Sequence, residues 1–115
     1  MSSFQINLEQ LSQKCFGNDE LVEKLVIRFQ VSLPQLVNEM LQAVDQNNMT
    51  DLRKLAHHLK GESGTMCAME ISSLAGRIIE MIDSQEPQEL ISLVKALSNG
   101  IATSPIQQSP MMSVE

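Results

Sequence analysis

Apolar residues recur every three or four positions along most of the chain, which is the spacing of helices that bury one face. The longest such run extends from Asp19 to Gln46 and predicts one long helix, capped at its start by Asn18 or Asp19. Pro34 lies inside this run, where it removes the hydrogen bond to the carbonyl of Gln30. Because the apolar spacing continues beyond the proline, we expect a kink in this helix and not a loop.

Three more helices follow from the same spacing, separated by polar or proline-containing turns. Asn48 is expected to cap the second helix, which runs to about Met66, and the third covers 68–83. The fourth begins with Pro87 in its first turn and ends near Gly100. A short amphipathic segment around residues 4–11 precedes them, and no strand-like alternation is present. The predicted fold class is all-α: an antiparallel four-helix bundle with a short additional N-terminal helix.

The chain has 115 residues, which is enough for one domain with one core. We assign residues 1–98 to the bundle and residues 99–115 to a C-terminal extension. The extension contains the sequence IATSPIQQSPMMSVE, with two prolines, several serines and no sustained period, so we expect it to be poorly ordered.

Composition limits the kinds of partner. The formal net charge is −6, the aromatic content is 3%, and tryptophan and tyrosine are absent, so nucleic acid and anionic membranes are poor partners. No apolar run approaches the ~20 residues that span a bilayer, and the start lacks the pattern of a secretory signal. We therefore expect a cytoplasmic location, free thiols at Cys15 and Cys67, and another protein as partner.

The stretch AHHLKGESG, residues 56–64, contains both histidines of the chain and two of its five glycines. At about 100° per residue, His57, Gly61 and Gly64 share the side of the helix that faces away from the apolar stripe. Glycine weakens a helix interior by about 1 kcal/mol relative to alanine, so two glycines there need a reason. Gly61 leaves the His57 ring uncovered, and Gly64 is expected to extend this open strip by another turn.

His58 lies on the opposite flank of the same helix, with Glu62 one turn ahead and Lys54 one turn behind. Neighbouring histidines on a regular helix point well apart, so they cannot jointly hold a metal ion. A zinc site would need Cys67 or carboxylates from elsewhere in the chain, and we predict no metal site.

Three of the eight Lys and Arg residues lie close to His57 on this helix, namely Arg53, Lys54 and Lys60. In an acidic protein they form a local positive patch. The patch suits a transferred phosphoryl group or the carboxylates of a partner, and the alternative interpretation is an ordinary solvated basic face.

The stretch AHHLKGESGTMCA resembles the signature of histidine-containing phosphotransfer (HPt) domains, which reads approximately A-H-x-L-K-G-x-S/A, followed after a spacer by G-A. The resemblance covers roughly residues 4–97. Two positions depart from the family pattern. Cys67 stands where the family commonly has glycine, which leaves the following turn less sharply specified, and Ile79 stands where glutamate is common. The matching residues are Ala56, His57, Leu59, Lys60, Gly61, Ser63 and Ala68.

The resemblance implies a phosphorelay intermediary in which His57 carries the phosphoryl group and His58 has no assigned role. Lys60 would offset the phosphoryl charge, while Arg53, Lys54, Gly61 and Gly64 would contact the partner. Domains of this family bind no ATP and have no kinase activity. The implied partners are the receiver domains of response regulators and a hybrid sensor histidine kinase. No cofactor is expected in this chain, since the receiver would supply the divalent metal ion.

Three other functions stay open at this point. A non-catalytic module would bind a receiver or a kinase without transferring phosphate. A metal-binding bundle would hold zinc through His57 or His58. The dimerising domain of a sensor kinase also carries a phosphorylated histidine, but it is normally a two-helix hairpin joined to an ATP-binding domain, whereas this chain has enough helices to close a bundle alone. We therefore predict a monomer.

Overall fold

A computed structural model describes residues 5–84, 87–103 and 107–108 of the chain. The described residues form five helices, and the all-α fold class is confirmed. Two short strands, β1 and β2, pair in parallel through two residues each. In chain order the elements are β1 (Gln5–Ile6), α1 (Leu8–Lys14), α2 (Asp19–Asp45), α3 (Met49–Thr65), α4 (Met69–Ser84), α5 (Pro87–Thr103) and β2 (Gln107–Gln108).

Helices α2 to α5 form the bundle, and α3 packs against α4 on one flank and α2 on the other. For these four helices, each predicted start and end lies within one or two residues of the observed one, except at the end of α5. That helix continues to Thr103 and not only to Gly100. In the sequence, Ile101 follows Leu97 at helical spacing, so glycine at position 100 does not stop the helix. The short N-terminal helix predicted around residues 4–11 lies later in the chain, since Gln5–Ile6 form β1 and α1 begins at Leu8 after the cap Asn7. The expectation about the order of residues 104–106 and 109–115 lies outside the described residues.

The predicted caps and the continuity of the long helix are confirmed. The side-chain oxygens of Asn18 and Asn48 each accept a hydrogen bond, at 3.1 Å, from the backbone N–H three residues later. Helix α2 runs through Pro34 without interruption. Gln30, whose carbonyl loses its helical partner to this proline, is exposed, so water can satisfy that oxygen.

Helix α3 ends in a tight turn that leads directly into α4. The Ala68 N–H donates to the Ser63 carbonyl at 2.8 Å, and the Cys67 N–H donates to the Gly64 carbonyl at 3.1 Å. These two bonds define a Schellman motif, in which the residue after the cap adopts a left-handed conformation. Cys67 has a φ of 59°, so cysteine occupies a backbone position that favours glycine. The turn is therefore well defined, contrary to the expectation from the missing glycine.

The core lies between the inward faces of all five helices. On α3 the buried side chains include Leu52, Ala56, Leu59 and Ser63, as the helical periodicity predicts. The buried Ser63 hydroxyl donates to the Leu59 carbonyl one turn earlier, so its polarity is satisfied. Within the described ranges no helix is both long and apolar enough to cross a membrane. With one face of α3 buried in the core, its opposite face is available to solvent.

Candidate functional site

His57 lies near the middle of α3 on its solvent-facing side. Its imidazole makes no hydrogen bond or ion pair with any described residue. Together with Thr50, Arg53, Lys54 and His58 it lines an open depression of about 600 Å³ along the helix. A ring that is exposed and unpaired on both nitrogens is open to reaction with a group brought by another molecule.

Gly61 and Gly64 differ in what surrounds them. A Cβ atom added to Gly61 would meet no other atom within 4 Å, so position 61 opens onto solvent one turn after His57. A Cβ added to Gly64 would lie 3.6 Å from the Ser72 hydroxyl of α4, and Gly64 is half-buried. The expectation that Gly64 extends the open strip is therefore wrong, because position 64 faces the neighbouring helix.

Three cross-helix contacts fix how α3 and α4 lie against each other: Gly64 faces Ser72, Lys60 faces Gly76, and Arg53 faces Asp83. Moving toward the start of α3 corresponds to moving toward the end of α4, as expected for antiparallel helices. The same register places Ile79 of α4 level with His57. Ile79 is half-buried and belongs to the edge of the core.

Arg53 is held by a carboxylate of α4. Its Nε and Nη2 atoms donate to the two carboxylate oxygens of Asp83 at 3.0 and 3.2 Å. The hydrogen bond from Arg53 lowers the pKa of the Asp83 carboxyl below its ordinary value of 3.8, and the bond to Asp83 raises the pKa of the Arg53 guanidinium. Asp83 thus offsets one of the three charges of the predicted positive patch, leaving Lys54 and Lys60 as its uncompensated cations.

Lys60 lies along the α3–α4 contact. A Cβ added to Gly76 would come 3.7 Å from Lys60 Cε and 4.0 Å from its Nζ, so the lysine stem runs across the glycine. The Ser72 hydroxyl donates to the Lys60 carbonyl at 3.1 Å. No carboxylate of the described residues pairs with the ammonium group of Lys60 or of Lys54. Lys54 also lines the depression beside His57, whereas Lys60 lies against α4.

His58 faces the other neighbour of α3. Its Nε2 atom lies 3.6 Å from Oε1 of Glu62, and Oε2 of Glu62 accepts a hydrogen bond of 3.0 Å from the Ser32 hydroxyl of α2. The His58 side chain is 67% exposed, whereas that of Glu62 is 27% exposed. This small network connects α3 to α2 and gives His58 a carboxylate neighbour, which His57 does not have among the described residues.

The α4 residues of this site, Ser72, Gly76 and Asp83, were not predicted from the sequence. Their spacing places them on one side of a helix, and two of them are small. This spacing indicates contact with α3 only when the register between α3 and α4 is known. In the described part of the chain, no three histidine, cysteine or carboxylate side chains come together as a metal ion would require.

Comparison with known protein families identifies the family of this chain. The family model of the Hpt domain matches residues 24–103, which is most of the chain. The chain belongs to the Hpt domain family. Hpt domains are phosphotransfer modules of phosphorelays without kinase activity of their own, and the family acts with receiver domains and kinases. The matched range contains α3, α4 and α5 and most of α2, whereas α1 precedes it. No curated protein and no solved structure matches the chain.

Proposed function

We propose that His57 accepts a phosphoryl group from the phosphoaspartate of one receiver domain and passes it to the aspartate of another. The observation that carries this proposal is the difference between the two histidines. His57 is exposed beside the open position at Gly61 and has no carboxylate partner in the part of the chain that the structure describes, whereas His58 lies 3.6 Å from a Glu62 oxygen. An incoming phosphoryl group would therefore meet less negative charge at His57.

The reaction needs an imidazole nitrogen with a free lone pair. That nitrogen attacks phosphorus in line, a nitrogen–phosphorus bond forms, and the phosphorus–oxygen bond to the donor aspartate breaks. The donor leaves as a carboxylate. In the second step the carboxylate of the acceptor receiver attacks the same phosphorus, and the imidazole leaves. The chain itself neither gains nor loses phosphate over the complete cycle.

Positive charge near His57 supports this chemistry. Lys60 follows His57 by three residues, and residues at that spacing are neighbours on a helix surface. Its ammonium group would offset the charge of the phosphohistidine, while Lys54 and Arg53 would contact the partner together with Gly61. The divalent metal ion would be supplied by the receiver, so the chain needs no cofactor. It would act as a cytoplasmic monomer between receiver domains and a hybrid sensor histidine kinase, and would have no ATP site.

Phosphoryl transfer from a labelled receiver tests the proposal. A receiver charged with ³²P-acetyl phosphate is mixed with the wild-type chain, His57→Gln and His58→Gln, whose folding is first compared by circular dichroism. An acid-labile, base-stable label is expected on the wild type and on His58→Gln, and none on His57→Gln, because only His57 accepts the group.

Two results would contradict the proposal. Label that survives in His57→Gln and disappears in His58→Gln would move the acceptor to the neighbouring histidine. Receiver binding without any label on the wild type, across the receivers of the source organism, would instead identify the chain as a non-catalytic binding module.

A further inference from the structure

Gly76 lies in the middle of α4, where glycine weakens a helix relative to alanine. Its backbone does not require glycine, because its φ is not in the left-handed region that favours this residue. The reason for a glycine at this position therefore lies on the side of α4 toward which a side chain at position 76 would point. That side is occupied by Lys60, whose Cδ, Cε and Nζ atoms would lie 3.9, 3.7 and 4.0 Å from an added Cβ.

The Lys60 stem is thus laid along α4 at the one position where α4 has no side chain to obstruct it. One turn earlier on α4, the Ser72 hydroxyl holds the Lys60 carbonyl at 3.1 Å, which anchors the backbone of the same residue. One turn later on α4, the register brings Ile79 level with His57. Gly76 is level with Lys60, one turn of α4 away from the level of His57. On α3, Lys60 and His57 are three residues apart and are therefore neighbours on the helix surface.

We propose that Gly76 is the positioning residue for Lys60. Because Gly76 has no side chain, it leaves a shallow groove on the surface of α4. The long Lys60 side chain lies in this groove, which restricts its rotamers and holds the ammonium group beside the phosphoryl site. A lysine that is already placed loses less side-chain entropy when it meets a transferred phosphoryl group. This inference rests on the proposed function of His57, and it assigns to α4 a part in the reaction that α3 alone cannot provide.

Substitutions at Gly76 separate positioning from stability. In Gly76→Ala, the added methyl group would sit at ordinary contact distance from Lys60, so transfer is expected within about twofold of the wild type, with a melting temperature higher by about 4 °C. In Gly76→Leu, the branched side chain takes the space of the lysine stem. We expect transfer about tenfold slower, equivalent to about 1.4 kcal/mol of transition-state stabilisation, without loss of thermal stability. Ser92→Leu on the exposed side of α5 is the matched control and should transfer as the wild type does.

A second set of variants tests whether Gly76 acts through Lys60. Lys60→Ala is compared with the double variant Lys60→Ala/Gly76→Leu, and the leucine is expected to cause no further loss once the lysine is gone. The proposal is overturned if Gly76→Leu transfers at the wild-type rate, or if the leucine slows transfer equally with and without Lys60.

A measurement without phosphate keeps this inference distinct from the proposed function. In the unphosphorylated wild type, nuclear Overhauser effects are expected between the ε-protons of Lys60 and the α-protons of Gly76, and they should persist in Gly76→Ala and vanish in Gly76→Leu. Their absence in the wild type would overturn the positioning role. A wild type that shows these effects but accepts phosphate from no receiver would instead leave Lys60 positioned by Gly76 and refute the phosphotransfer role of His57.

Discussion

The two flanks of α3 carry neighbouring histidines in opposite surroundings. Toward α4, the helix presents His57 together with two cations that α4 contacts, Arg53 paired with Asp83 and Lys60 laid across Gly76. Toward α2, it presents His58 with the carboxylate of Glu62, which Ser32 holds in place. A rotation of about 100° around one helix therefore separates a ring that has no carboxylate neighbour among the described residues from a ring that has one.

We infer from this difference that the residues around each histidine, on α3 and on its neighbouring helices, set how well each ring suits an anionic group. Helix α4 contributes small residues and leaves Lys60 uncompensated, whereas α2 contributes a hydroxyl that fixes a negative charge. The proposed function predicts that a phosphoryl group approaches the first flank more readily than the second. The following variants test this contrast, beginning with the largest expected effect.

Gly61→Gln should slow phosphoryl transfer by about 100-fold, since a side chain at the open position next to His57 would displace the docked receiver by an ångström or more. The same variant should raise the free energy of unfolding by about 0.5 kcal/mol, because glutamine is the better helix former and meets no atom there. Transfer kinetics and urea denaturation measure the two effects.

Gly64→Ala is the matched control for Gly61→Gln. Its added methyl group would sit 3.6 Å from the Ser72 hydroxyl, which is an ordinary contact, and it points toward α4 and not toward a partner. Transfer within about twofold of the wild type is expected. A larger loss in Gly64→Ala than in Gly61→Gln would mean that the α3–α4 contact matters more than the open surface.

Arg53→Gln should slow transfer by less than about fivefold, because exposed charges act weakly through water. Asp83→Asn should lower the melting temperature slightly at neutral pH. The pKa of Asp83 is lowered in the folded state, so the ion pair stabilises the fold above the ordinary value of 3.8, and this stabilisation is lost as the pH falls through the lowered value. Melting curves of the wild type and Asp83→Asn should therefore converge in acid and in high salt.

A difference between the wild type and Asp83→Asn that grew toward low pH would contradict the assignment of the Arg53–Asp83 pair as the source of the effect.

The smallest effects are expected on the α2 flank. Ser32→Ala and Glu62→Ala should each lower the free energy of unfolding by about 1 kcal/mol, since each removes a half-buried hydrogen bond. Both variants should transfer phosphate within about twofold of the wild type. In a double-mutant cycle the two changes should couple by about 0.5–1 kcal/mol in stability and show no coupling in transfer rate. Transfer that slowed as strongly as in Gly76→Leu would remove the distinction between the flanks.

Most of the fold followed from local properties of the sequence. The apolar spacing set the buried face of each helix, and Asn18 and Asn48 marked two helix starts through side-chain bonds that reach only three residues. The exposure of His57 followed from the same geometry, because α3 has one apolar stripe and the histidine lies away from it. Such features depend on neighbours within about one helical turn.

The contribution of α4 to the site could not be predicted from the sequence, because it depends on contacts between residues far apart in the chain. The sequence contains Ser72, Gly76 and Asp83 at helical spacing, but only the antiparallel register pairs them with Gly64, Lys60 and Arg53. The prediction that Gly64 lies on the open surface was wrong for this reason. A helical wheel gives the direction in which position 64 points, but it does not show that α4 packs against that position. The positive patch was overestimated in the same way, since Asp83 lies 30 residues from Arg53.

The turn of three residues between α3 and α4 has a consequence for how this sequence can vary. One inserted or deleted residue at positions 66–68 would rotate α4 by about 100° and shift it by about 1.5 Å along its axis. The contact between Gly76 and Lys60 and the ion pair between Asp83 and Arg53 would then be lost together. Although this turn lies about 14 Å along the helix from His57, its length is constrained as strictly as the identity of any side chain in the site.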